Sequence, residues 1–115
     1  MRLGEVWRVD LEPVRPGEAN KTRPCVIVSN DGNNVTARRL GRGTVAVVPL
    51  TPVTTRVFPF QAFVPAGDPG LEVDAKAQTE QIRAVALERV RERIGMLDTA
   101  SRDRIDRALR IQLAL

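Results

Sequence analysis

The sequence contains no histidine and no tyrosine, and it has a single cysteine, Cys25. Without histidine, the chain cannot carry a two-histidine ribonuclease site, a Ser-His-Asp triad or a histidine-ligated metal. One cysteine forms neither an internal disulfide nor a cysteine zinc site, and this favours a reducing compartment. We therefore predict that the protein uses no metal and no other cofactor.

Aromatic residues and long apolar runs are also scarce. Aromatic side chains make up 3% of the chain, which argues against the aromatic stacking surfaces of sheet-type RNA-binding domains. No segment approaches the ~18 consecutive apolar residues of a membrane helix. Glycine and charge follow the first methionine at once, so the apolar stretch of a signal peptide is absent. We expect a cytoplasmic protein that does not insert into a membrane.

The length and charge set further bounds. A chain of 115 residues with 43% apolar content is typical of one globular domain, here residues 1–115. The net charge is +4, and residues 1–56 carry all of it, with nine Lys or Arg against five Asp or Glu. This asymmetry favours a basic surface for an anionic partner. A solvated basic face without a partner is the alternative that charge alone leaves open.

Short apolar runs separated by turn signals predict a small β-rich fold. Residues 5–11 alternate, so that Trp7, Val9 and Leu11 share one face of a strand and belong to the core. Cys25 is predicted to be a small core residue of the next strand. Runs bounded by proline, glycine or asparagine predict further strands at residues 25–28, 44–50 and 58–64. This arrangement favours a barrel or sandwich over alternating β–α units.

Two other regions are less regular. Residues 30–43 are rich in Asn, Gly and Arg and are interpreted as a mobile connection. Residues 75–94 favour a helix by composition, although their alternation also fits a strand. From Ser101 onward, helical spacing predicts a C-terminal helix capped by Asp98 or Ser101. Its apolar positions are Ile105, Ala108, Leu109 and Leu113.

Three motifs occur along the chain in a fixed order. The first runs from Gly4-Glu5-Val6-Trp7 to Lys21-Thr22-Arg23-Pro24-Cys25-Val26-Ile27-Val28. The second is Val47-Val48-Pro49-Leu50-Thr51. The third is Glu80-Gln81-Ile82-Arg83, followed by Ile94-Gly95 and Ile105-Asp106-Arg107. Together they resemble the MazF/PemK toxin family over nearly the whole chain, and their combination is more specific than any one of them.

The resemblance implies a fold and a function. The implied fold is mainly β with α, a small SH3-like barrel with a C-terminal helix, in which residues 77–85 form a strand and residues 87–92 a short helix. The implied protein is a homodimer that cuts single-stranded RNA at selected sequences without a metal. An acidic antitoxin is its implied inhibitor.

The resemblance also assigns site residues. Arg23 and Thr51 match the catalytic pair, and Glu18 matches an acidic loop residue that some members need for activity. Asn20, Lys21 and Thr22 lie in the loop that closes over RNA, and Gln81 lies beside the site. A planar, permanently charged guanidinium suits a phosphate, and a threonine hydroxyl adds a donor. On chemistry alone, each of these residues also fits a structural or solvated surface role.

Two alternatives remain at this point. CcdB-type toxins share the implied architecture and poison DNA gyrase through protein contact. A non-catalytic SH3-like module would bind RNA and leave it intact. The pairing of Arg23 with Thr51 favours the nuclease.

Overall fold

The structure is a computed structural model that describes residues 1–11, 22–67 and 70–115. These residues form a seven-stranded antiparallel sheet and two α-helices, the second of which lies at the C-terminal end of the sequence. The strands are β1 (Glu5–Asp10), β2 (Thr22–Ile27), β3 (Thr44–Thr51), β4 (Gln61–Val64), β5 (Ala75–Gln78), β6 (Arg83–Ala86) and β7 (Val90–Met96). The helices are α1 (Asp31–Leu40) and α2 (Thr99–Leu113). The predicted fold class, mainly β with a C-terminal helix, is confirmed.

Strand β3 is the centre of the sheet. The strands follow the order β4-β5-β3-β2-β1-β7, and β6 pairs with β3 outside this path. The first half of β3 pairs with β6, whereas its last two residues, Leu50 and Thr51, pair with β5. One long strand therefore connects both halves of the sheet and ends where β5 begins to pair with it.

Hydrophobic cores cover both faces of the central strands. On one face, Val6, Val26 and Val48 pack with β4, β5 and α2. On the other face, Val9 and Cys25 pack with residues of β3, β6 and α1, and Trp7 and Leu11 lie against this second core. Because neighbours along a strand point to opposite faces, the alternation predicted for residues 5–11 is confirmed. The Trp7 indole also donates a hydrogen bond to Glu5 Oε1 at 3.1 Å.

The connection predicted at residues 30–43 is wrong, because ten of these residues form α1. Asn30 caps its start by accepting a hydrogen bond from the backbone N–H of Asn33 at 2.8 Å. Gly41 ends it in the left-handed conformation, with φ of 66°. Asn34 is fully buried and exchanges hydrogen bonds with Ser29. These polar caps hold a helix whose composition is typical of a loop.

Residues 75–96 follow β strands rather than the helix that composition favours. The strand implied at residues 77–85 is present as β5 and β6, separated by the 3₁₀ turn Thr79–Gln81. The short helix implied at residues 87–92 is a 3₁₀ turn at Leu87–Arg89, after which β7 begins. Pairing with β3 and β1 outweighs the local preference for helix.

The remaining elements agree with the sequence, with different bounds for two strands. Strand β2 begins at Thr22, three residues before the predicted start, and ends at Ile27. Strand β4 begins at Gln61, so Phe58 and Phe60 lie in the segment before it. Asp98 caps α2 by accepting a hydrogen bond from Ser101 N at 2.7 Å. Ile105 and Ala108 of α2 are buried, whereas Leu113 is 47% exposed. The apolar stripe predicted along α2 therefore packs on the sheet through its first part.

Candidate functional site

Arg23 and Thr51 lie at the same end of the β2–β3 pair. Arg23 is the second residue of β2, and Thr51 is the last residue of β3. The strands are antiparallel and their paired register ends with Cys25 opposite Pro49, so Arg23 and Thr51 each lie two residues beyond that last pair. The two residues that the resemblance marks as catalytic thus lie at the same end of neighbouring strands.

Lys76 extends this pair across a third strand. It lies directly opposite Thr51 in β5, and its side chain is buried. Adjacent strands are about 4.8 Å apart, so β2 and β5 lie about 10 Å from each other on either side of β3. We call Arg23, Thr51 and Lys76 the cross-sheet row. A hydroxyl flanked by two cations suits a bound phosphate.

The Thr51 side chain is held in place by its own backbone turn. It is only 7% exposed, and its Oγ1 accepts a hydrogen bond from the backbone N–H of Val53 at 3.3 Å. This bond fixes the oxygen at the point where β3 ends. A hydroxyl that accepts one hydrogen bond can still donate its own hydrogen, so Thr51 can donate to a phosphate oxygen.

Arg83 is a further cation of this site that the sequence interpretation missed. It opens β6 opposite Val47 and is exposed. Burial raises the pKa of the Cys25 thiol from 9.0 to about 12, and the charges of Arg23 and Arg83 both oppose that rise. Both guanidinium groups therefore act on the sheet face to which Cys25 points. The available signal was the alternation of Gln81, Arg83 and Val85, which places Arg83 on the same strand face as a core residue.

The other residues predicted for the site lie outside the cross-sheet row. Thr22 opens β2 opposite Asp10, next to Arg23 in the chain. Gln81 lies in the 3₁₀ turn between β5 and β6 with an exposed side chain, rather than in a continuous strand. Glu18, Asn20 and Lys21 lie outside the described residues.

The described ranges 1–11, 22–67 and 70–115 contain no group of three or more cysteine or carboxylate side chains arranged to hold a metal ion. Within the same ranges, no helix combines the length and apolar character that crossing a membrane requires.

The sequence matches the family described as PemK-like, MazF-like toxin of type II toxin–antitoxin system over residues 2–113. The chain belongs to this family. The resemblance carried by the three motifs is thereby confirmed.

Individual relatives agree with the family match. Endoribonuclease MazF9 of Mycobacterium tuberculosis is 51% identical over 115 residues, which are 100% of this chain and 98% of that protein. Endoribonuclease EndoA of Bacillus subtilis is 30% identical over 115 residues, which are 100% of this chain and 96% of that protein. A solved mycobacterial endoribonuclease in complex with its cognate antitoxin has the same fold, with a TM-score of 0.79 at 24% identity, covering 100% of this chain and 96% of that one.

Proposed function

We propose that this chain is the endoribonuclease toxin of a type II toxin–antitoxin system and that it cuts single-stranded RNA without a metal. The family and two full-length relatives named as endoribonucleases support this activity. The observation that carries the mechanism is the position of Arg23 and Thr51 at one end of the β2–β3 pair.

The RNA supplies its own nucleophile in this mechanism. The 2′-hydroxyl loses its proton, its oxygen bonds to the adjacent phosphorus, and the bond from phosphorus to the 5′-oxygen breaks. The 5′-oxygen takes up a proton, so the products are a 2′,3′-cyclic phosphate and a 5′-hydroxyl end. The protein must align the oxygens and stabilise the charge that develops on the phosphate.

The roles of the residues follow from their chemistry. Arg23 binds the phosphate oxygens and stabilises their charge, because an arginine pKa above ~12 makes it a poor base. Thr51 donates a hydrogen bond to the same phosphate. The general base is not assigned, and Glu18 is the one candidate for it. Asn20, Lys21, Thr22 and Gln81 are the proposed contacts to the flanking RNA.

We further propose the assembly and the setting. The single domain forms a homodimer in the cytoplasm, and an acidic antitoxin inhibits it. A sedimentation mass of one chain at micromolar concentration would contradict the homodimer. The solved relative in complex with its cognate antitoxin supports the inhibitor.

The test is to incubate the purified protein with a long RNA in excess EDTA and to map the new ends. We expect cleavage to persist and to leave 5′-hydroxyl ends. A single 2′-deoxy nucleotide on the 5′ side of the cut should abolish cleavage at that site. Activity that requires added magnesium, or efficient cutting of the deoxy-substituted RNA, would overturn the mechanism.

A further inference from the structure

An exposed stack of cation and aromatic rings lies beside the cross-sheet row. The rings of Phe58 and Phe60 are parallel within 3°, with centroids 5.3 Å apart. The guanidinium carbon of Arg56 lies 4.7 Å from the Phe58 ring centroid. Both Arg56 and Phe58 are exposed. The stack therefore consists of an exposed guanidinium, an exposed phenyl ring and a half-buried phenyl ring beneath them.

This stack is not part of a hydrophobic core. Neither Phe58 nor Phe60 belongs to the two core clusters that the described residues form. Burying a phenylalanine in a core is strongly favourable, whereas leaving its ring at the surface forgoes much of that free energy. Phe58 is exposed and Phe60 half-buried next to a candidate RNA-cleaving site, so this aromatic pair is a candidate for a role in binding.

The stack is fixed to the site through Lys76. The Lys76 ammonium donates a hydrogen bond to the backbone carbonyl oxygen of Arg56 at 2.5 Å and lies 6.0 Å from the Phe58 ring centroid. Since Lys76 lies directly opposite Thr51, the stack stands immediately beside the cross-sheet row. It extends the site away from Arg23, toward β5.

The segment that carries the rings is also held to the neighbouring turn. The Phe58 N–H donates to Gln61 Oε1, and Gln61 N donates back to the Phe58 carbonyl oxygen. Gln61 Nε2 donates to Glu80 Oε2 at 2.8 Å, and the Thr79 hydroxyl donates to the Phe60 carbonyl oxygen. The rings are therefore presented by a segment that is bonded to strand β5 and to the turn that follows it.

We propose that Arg56, Phe58 and Phe60 form a stacking subsite for one base of the RNA that flanks the cut. A guanidinium plane and a phenyl ring both stack on nucleobases, and every base offers such a face. A base on the outer face of the Arg56 guanidinium continues the stack. Lys76 neutralises charge between this base and the phosphate at Thr51. This inference rests on the proposed function.

The test uses an RNA that the wild-type protein cuts, made uncleavable by one 2′-deoxy nucleotide at the cut. Single abasic nucleotides are placed in turn at each flanking position, and the dissociation constant is measured by fluorescence anisotropy. We expect one position at which loss of the base weakens wild-type binding by about tenfold, since stacking of one base is typically worth ~1–3 kcal/mol.

The variants identify the side chains involved. Phe58→Leu and Arg56→Ala should each weaken binding of the intact RNA. Each variant should bind the RNA that is abasic at the identified position as tightly as it binds the intact RNA. Phe58→Tyr keeps an aromatic ring and should bind RNA with the wild-type dissociation constant. Arg56→Lys keeps the charge but loses the planar guanidinium, and it should bind RNA more weakly than the wild type. Leu40→Ala removes an exposed apolar side chain at the end of α1, which precedes β3, and serves as the control for a substitution away from the stack. Equal melting temperatures show that each variant is folded.

Three results would overturn the subsite. Phe58→Leu and Arg56→Ala could both bind the intact RNA with the wild-type dissociation constant. Alternatively, both variants could lose as much affinity as the wild type does when the base at the identified position is removed. They could also weaken binding of an acidic antitoxin peptide while RNA binding is unchanged, which would assign the stack to the inhibitor. If the wild type cuts RNA and Arg23→Ala does not, these results overturn the subsite alone. If the wild type neither binds nor cuts RNA, the proposed function fails as well.

Discussion

At the scale of single residues, the proposed catalytic mechanism depends mainly on the Arg23 guanidinium. Removing a preorganised donor typically lowers kcat on the order of 10²–10³-fold. We expect Arg23→Ala to reduce RNA cleavage by at least that factor and Thr51→Ala by less, with the melting temperature unchanged. Arg23→Lys should rescue poorly, because an ammonium lacks the two-pronged geometry of guanidinium. Single-turnover cleavage of a mapped RNA measures these effects.

Arg42→Ala is the matched control for Arg23→Ala. Arg42 is exposed and precedes β3, so the eight residues of β3 separate it from the Thr51 end. At about 3.4 Å per residue, that distance is about 27 Å. Equal losses in both variants would mean that overall charge, rather than a site at Arg23, controls the rate.

Cys25 provides a pH-dependent prediction at the same scale. Burial raises the pKa of its thiol from 9.0 to about 12. The folded protein therefore holds this proton more tightly than the unfolded chain does. Its contribution to stability is complete below pH 9 and is lost as the pH rises from 9 toward 12. The slope of this loss is at most about 1.4 kcal/mol per pH unit.

Chemical denaturation at pH 8 and pH 10.5 tests this prediction, with Cys25→Ala as the reference. The alanine variant should start from a lower stability, because a buried sulfur is lost, and should then lose less of it at high pH. Parallel losses in both proteins would show that other groups cause the alkaline destabilisation.

Helix α1 shows at the element scale where the sequence interpretation failed. Its asparagines, glycine and threonine are poor helix formers, so composition pointed to a loop. The helix depends on tertiary bonds instead: buried Asn34 bonds Ser29, whose Oγ also accepts from the backbone N–H of Ala46 in β3. The bond from Ala46 exists only once β3 is in place, and a single sequence does not show it.

The stability of α1 can be tested at Gly41, the residue that ends the helix. Its φ is 66°, and no atom lies within 4 Å of the position that a Cβ would take. The cost of Gly41→Ala therefore comes from the left-handed backbone alone, at about 1–2 kcal/mol. Gly41→Asn should cost less, because asparagine adopts this conformation more readily. Thermal denaturation should rank the proteins as wild type, Asn variant, Ala variant; an alanine variant as stable as the wild type would contradict the ranking.

The strands and the family could be predicted from the sequence better than helix α1 could. Alternation in residues 5–11 and the run around Cys25 predicted β1 and β2, because a strand buried on both faces needs apolar residues at consecutive positions. The motifs predicted the family and the Arg23–Thr51 pair. Lys76 and Arg83 could not be assigned in this way, since their placement depends on β3 pairing with β5 at one end and with β6 at the other.

The whole molecule is basic, with its excess charge in residues 1–56. We expect the inhibitor to be an acidic, largely disordered segment that folds into the RNA site and offers carboxylates to Arg23 and its neighbours. Inhibitor and uncleavable RNA should compete, and the association rate should fall as salt rises, because screening weakens steering between opposite charges. A competition titration at two ionic strengths measures both effects.

The control for this titration is a scrambled segment of the same charge. It should show the same salt dependence and much weaker competition. Simultaneous binding of inhibitor and RNA, without loss of affinity for either, would rule out occupation of the site and would favour an allosteric or dimer-disrupting inhibitor.

The pairing of β1 with β7 has a consequence for the timing of synthesis. Glu5 of the first strand lies opposite Met96 of the last one, and the Glu5 carboxylate binds Arg93 at 2.7 Å. At ~5–20 residues per second, a ribosome needs roughly 5–20 s to proceed from one to the other. During that interval the nascent chain cannot complete its sheet. The protein therefore gains its complete sheet only when translation of its message is nearly finished.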